Sequence, residues 1–98
     1  MKKVTFYSRM SSGIKEHNGY TDGSFLYYRA ENGGLWHAIH PDNGLSVTQG
    51  HTLKETAAAA NKPELARKIA ERLKIDGARL ANVFRELVAE YVSARATA

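Results

Sequence analysis

Four histidines are the side chains of this chain best suited to hold a metal or move a proton near neutral pH. Two of them lie three apart in the run HAIH, His37 to His40. On a strand, residues three apart point to opposite faces, so these two imidazoles cannot share an ion. His17 and His51 stand alone in the sequence. There is no cysteine, which removes a thiolate zinc site, a cysteine nucleophile and a disulfide framework. His40 and Asp42 flank Pro41, an arrangement of turn chemistry rather than an acid/base pair. No nucleophile motif or phosphate-binding glycine loop is present. The expectation is a protein that is not an enzyme, with no metal and no cofactor.

What remains is charge. The formal net charge is +4, which favours an acidic partner such as nucleic acid or an anionic protein surface. Most of it falls between Lys62 and Lys74. There, Lys62, Arg67, Lys68, Arg72 and Lys74 outnumber Glu64 and Glu71.

The elements that must position these groups change character near residue 50. Aromatic and β-branched residues mixed with glycines come first; Ala, Leu, Lys, Glu and Arg follow. The reading is one α+β domain over 1–98, an antiparallel meander of three to four strands (1–50) followed by two to three helices packed on one face (51–98). "KKVTFYS" is a first strand. Residues 9–23 read as a long polar loop. "SFLYYRAE", "GLWHAIH" and "LSVTQ" are further strands, joined at Asn32-Gly33 and at "PDNG". The basic N-terminus carries too short an apolar run for a signal peptide, and no stretch approaches a membrane span. The expectation is a cytoplasmic protein with no membrane partner.

Thr52 with Glu55 forms a capping box for a first helix, and Pro63 suits the start of a second. Asp76 reads as the N-cap of a third helix reaching about Arg95, with a stripe of Leu80, Val83, Phe84, Leu87, Val88, Tyr91 and Val92. In this order, Ala66 to Leu87 resembles the helix-turn-helix of bacterial and phage regulators. Ala70 takes the small position, and Ile69, Leu73, Ile75, Leu80 and Val83 are apolar where the motif wants them. The turn position holds Lys74 instead of glycine, and Gly77, Ala78 and Ala81 offer the groove no hydrogen bond. The resemblance implies that Arg79, Asn82 and Arg85 reach bases or phosphates while Arg67, Lys68, Arg72 and Lys74 hold the backbone. A regulator of palindromic DNA would be a homodimer, for which Val88, Tyr91 and Val92 at the end of the C-terminal helix offer an interface. In layout alone, the meander followed by a helix also looks like the arm-type DNA-binding domains of phage integrases.

A second binding class competes. A two-residue turn at Asn32-Gly33 sets Arg29 opposite Trp36 and places Phe25, Tyr27, Arg29, Trp36 and His40 on one face, Leu26, Tyr28, Ala30, Leu35, His37 and Ile39 on the other. Either Trp36 packs with Phe25 and Tyr27 as core, or Tyr27, Arg29, Trp36 and His40 form a bare patch for a partner. A four-residue loop at 41–44 puts Leu45 and Val47 on the Trp36 face; a three-residue loop with a bulge moves them to the Ile39 face. The bare patch, with Tyr28 and the stretch Ile14 to Tyr20, would suit a phage- or plasmid-type inhibitor, of the anti-CRISPR or anti-restriction kind, that blocks a host nucleoprotein complex by protein contact. The first expectation remains a DNA-binding regulator.

Overall fold

Alternation of Val4, Phe6 and Ser8 with Thr5, Tyr7 and Arg9 makes the N-terminus a strand, β1 (Lys2–Met10). The structure is a computed structural model that describes residues 1–31 and 33–97. The stretch 9–23, expected as a loop, is mostly strand. β2 (Gly13–Thr21) pairs antiparallel with β1 along its length, from Lys2↔Thr21 to Met10↔Gly13. Its buried positions hold His17 and Gly19 rather than aliphatic side chains, so a polar composition conceals a half-buried strand. Gly19 is required there: a Cβ would lie 2.0 Å from the Tyr27 carbonyl oxygen.

β3 (Leu26–Arg29), β4 (Trp36–Ile39) and β5 (Ser46–Gly50) complete a five-stranded antiparallel meander in the order β1-β2-β3-β4-β5. The register of β3 on β4 follows the expected pairs Arg29↔Trp36, Tyr28↔His37 and Tyr27↔Ala38. Gly33 has φ 74° and the Ala30 N–H donates to the Leu35 carbonyl at 2.9 Å; Asn32 lies outside the described residues. The turn between β4 and β5 is a four-residue loop, closed by the His40 N–H on the Leu45 carbonyl at 2.9 Å. Val47 therefore packs with Tyr27, Trp36 and Ala38, although the pairing shifts between Ala38 and Ile39.

In a flat sheet, β1 and β4 would stand about 14 Å apart, three strand spacings. Here the Arg9 N–H donates to the Gly44 carbonyl at 2.8 Å. Phe6 of β1 shares one buried cluster with Tyr28 and Ile39. The sheet is thus curled, with Val4, Phe6, Ser8, His17, Leu26, Tyr28 and Ile39 on the inner face by register. The outer face carries Tyr27, Trp36, Ala38 and Val47, which pack under Leu53, Ala57 and Ala60 of helix α1 (Leu53–Ala60). Both faces are buried, one by a helix and one by the curl.

α1 begins as expected: the Thr52 side chain accepts the Glu55 N–H at 3.1 Å. Its far end is tied to the β2–β3 turn by a polar cluster. The Tyr27 hydroxyl donates to Asp22 at 2.6 Å, the Asn61 amide donates to the same carboxylate at 2.9 Å, and the Ser24 and Phe25 N–H groups donate to its other oxygen. Burial alone would raise the Asp22 carboxyl, but these hydrogen bonds hold it down at about 2. Burial and the Asp22 carboxylate push the Tyr27 phenol above its ordinary range. Asp22→Ala leaves a buried hydroxyl without its acceptor, so a loss of about 2 kcal/mol is expected in urea denaturation at neutral pH.

The helical half departs from expectation. α2 (Pro63–Thr97) is one continuous helix of 35 residues. The turn expected at Lys74–Gly77 does not form, so there is no third helix capped by Asp76 and no helix-turn-helix. The reason is phase. Leu65, Ile69, Leu73, Leu80, Phe84, Leu87 and Tyr91 keep one stripe across the supposed break. A single interior glycine costs only about 1 kcal/mol, and Asp76 pairs with Arg79 at 3.4 Å inside the helix instead of capping it. α2 passes the 41–44 loop, where Phe84 sits over Gly44, and ends beside the first hairpin. Tyr91 lies edge-on to Tyr7 at 5.8 Å, and Arg95 pairs with Glu16.

Candidate functional site

Because α2 is unbroken, its cations form rows along one rod. At about 3.6 residues per turn, Lys68, Arg72 and Arg79 fall on one flank, and Arg67, Lys74 and Arg85 on the other. Asn82 lies between them with Glu71, Ile75 and Ala78. All seven of the expected nucleic-acid contacts, Arg67, Lys68, Arg72, Lys74, Arg79, Asn82 and Arg85, are exposed. Among the described residues, Arg67, Lys68, Arg72 and Lys74 make no ion pair, whereas Arg79 is held by Asp76 and Arg85 donates to the Asn82 side-chain oxygen. The groups expected to read bases and those expected to hold phosphates are therefore collinear. They do not stand on two helices set at an angle.

A groove of about 400 Å³ runs between the first half of α2 and the β4–β5 loop. Leu45, Val47, Ile69, Leu73 and Leu80 line it, together with His40, Lys68 and Arg72. His40 accepts the Asp42 N–H on Nδ1 at 3.2 Å, which leaves Nε2 as its donor. The curl of the sheet thus brings a third nitrogen-bearing side chain beside Lys68 and Arg72, a neighbourhood the sequence did not disclose.

The expected partner patch is not a surface. Tyr27 is 0% exposed beneath α1, Trp36 and His40 are half-buried, and Arg29 alone is open to solvent. Arg29 is also committed locally, donating to the Gly34 carbonyl at 3.3 Å. The aromatic face is covered because α1 packs on it, while the aliphatic face closes through the curl with Phe84 and Val88 of α2 at its edge. Val88 and Tyr91, expected as a dimer interface, are half-buried, Tyr91 by Tyr7; Val92 is exposed.

One pair escaped the sequence reading. Ser8 Oγ and His17 Nε2 share a hydrogen bond of 2.6 Å, between side chains nine apart in the chain but brought together by the first hairpin. The geometry resembles a nucleophile with its base, but the surroundings do not allow that chemistry. Ser8 is 1% exposed, so no substrate reaches it. The His17 ring is stacked on Tyr28 at 3.7 Å with Phe6 beside it, and among the described residues no carboxylate is bonded to it. Burial, then the charges of Lys15 and His37, lower its pKa to about 4. His37 stacks on the other side of Tyr28 at 5.2 Å, while His40 meets Phe25 on the outer face, so the two histidines of HAIH are separated by the sheet. Among the described residues no group of three or more His, Cys, Asp or Glu is placed to hold a metal, and no helix is long and apolar enough to cross a membrane.

No family model, curated protein or solved structure matches the chain. The functional reading therefore rests on the site itself.

Proposed function

We propose that this is a small non-catalytic nucleic-acid-binding protein of the regulator class that holds the phosphate backbone with the first half of α2. The observation that carries the reading is the exposure of Arg67, Lys68, Arg72 and Lys74 on the two flanks of one helix, with no carboxylate paired to any of them among the described residues. A helix is about 10–12 Å across and the major groove about 12 Å wide. A helix seated there turns one row of cations toward each wall. Between the rows in this half of the helix stands Glu71, which repels phosphate and has no hydrogen to donate to a base edge, so contacts to the backbone along the two flanks dominate and sequence preference is weak. The inhibitor reading takes the aromatic patch as its contact surface, and with Tyr27 buried and Trp36 and His40 half-buried, only Arg29 of that patch is open to solvent.

The test is duplex affinity across a salt series with random-sequence DNA. Four phosphate contacts give a slope of log Kobs against log salt of about −3.6. Arg67→Ala and Arg72→Ala should each weaken binding to all sequences alike and make the slope shallower by about 1. Absence of affinity at low salt removes the proposal. A normal affinity in the variant lacking all four cations moves the contact to another surface.

A further inference from the structure

We propose that two copies of the chain pair through the solvent face of α2, antiparallel, about a two-fold axis near Asn82 and Arg85. The pairing seam uses the same solvent face of α2 as the cation rows but lies C-terminal to them, so in the dimer Arg67, Lys68 and Arg72 stay open while Ile75, Ala78 and Asn82 are covered. Two large apolar side chains of α2 are left bare, Ile75 at 86% and Val92 at 46% exposure. They are not scattered. Ile75, Ala78, Asn82, Arg85, Ala89, Val92 and Ala96 recur at alternating steps of three and four, the seam spacing of a two-helix coiled coil. This seam lies opposite the stripe that packs on the rest of the protein, so α2 has two faces to cover and the fold covers only one.

The occupant follows from self-complementarity. An antiparallel partner aligned so that Ile75 meets Val92 of the second copy also sets Ala78 against Ala89 and Asn82 against Arg85. The paired alanines let the backbones approach closely, and every layer occurs twice about the axis, as an isologous interface requires. On one flank of the seam, the same alignment places Arg79, whose guanidinium also meets Asp76 of its own chain at 3.4 Å, beside Glu86 of the second copy, and Glu86 beside the second Arg79. On the other flank Ala81 meets Val88. Farther out, Lys74 approaches the second Arg95, a like pair in which Arg95 is already held by Glu16. A parallel pairing would instead set Asn82 on Asn82 and Arg85 on Arg85, and would lose the Arg79–Glu86 match. The polar central layer costs stability but fixes register and direction. In this dimer the two basic segments centred on Lys68 stand about 45 Å apart along the helix axis. That exceeds one turn of DNA, so the assembly holds a backbone at two separated places and does not read adjacent half-sites.

Sedimentation equilibrium of the full chain without nucleic acid tests this. The expected result is a reversible rise from 10.8 kDa toward twice that mass with concentration. Ile75→Glu should weaken the dimer by about tenfold or more without changing helix content, since the side chain touches little within its own chain. Arg79→Glu and Glu86→Arg should each weaken it, and the double swap should restore it. Because the chain has no cysteine, a mixture of Ile75→Cys and Val92→Cys proteins should give the mixed disulfide. A monomer at all concentrations, a double swap that fails to restore the dimer, or a preferred Ile75→Cys self-disulfide overturns the proposal. Loss of DNA affinity with the dimer intact would count only against the phosphate-binding reading.

Discussion

Gly44→Ala is expected to cost about 3 kcal/mol or more of folding stability, a large share of what a domain of this size possesses. Two effects combine. Gly44 has φ 70°, a conformation that costs a residue with a Cβ about 1–2 kcal/mol. The added methyl would also lie 2.3 Å from the Phe84 ring, so the ring or the loop must move, at an overpacking cost of about 1–3 kcal/mol. The position matters beyond its own contacts, because the Gly44 carbonyl accepts the Arg9 N–H that holds the curl closed. Chemical denaturation of Gly44→Ala, Phe84→Leu and the double variant separates the two costs. In the Phe84→Leu background the alanine should lose its clash and keep only the backbone strain. A wild-type-like midpoint for Gly44→Ala would show that Phe84 does not close over this loop.

The parts of the fold written in local chemistry were legible in the sequence. The β3–β4 register follows from turn signals at residues 30–35, the N-cap from Thr52, and the exposure of the α2 cations from helical periodicity. What failed was decided elsewhere in the chain. β2 looks like a loop because His17 and Gly19 occupy its buried positions. They suit those positions only because Tyr28 stacks on one and the Tyr27 backbone crowds the other. Of the two alternatives for the aromatic face, burial holds, as the four-residue loop at 41–44 implies by setting Val47 on the Trp36 face; the curl that closes the other face shows in the bond between Arg9 and Gly44, which no local pattern announces. The break at Asp76-Gly77 was contradicted by a signal already present. Leu73 and Leu80 are seven residues apart, two full turns, so the apolar stripe crosses the supposed turn in phase. The residues expected to contact nucleic acid are therefore exposed, as helical periodicity implies, but stand on one helix and not on two.

Acid should loosen the inner face of the sheet through one side chain. His17 has a pKa of about 4 in the folded protein against 6.5 for the free side chain. Between those values the unfolded chain binds a proton that the native state refuses. Stability therefore falls as pH drops through 6.5 and has lost at most about 3 kcal/mol from this group near pH 4. The physical source is the site itself: protonation would charge a ring that is 8% exposed, stacked on Tyr28, and turned toward Ser8. Urea denaturation at intervals from pH 4.5 to 7.5 should show that decline. In His17→Gln, which keeps a polar atom for Ser8 and cannot titrate, the decline over this window should flatten even if stability at neutral pH is lower. The other three histidines remain in that variant and serve as an internal control. A slope that survives His17→Gln undiminished would show that the His17 ring does not carry the effect.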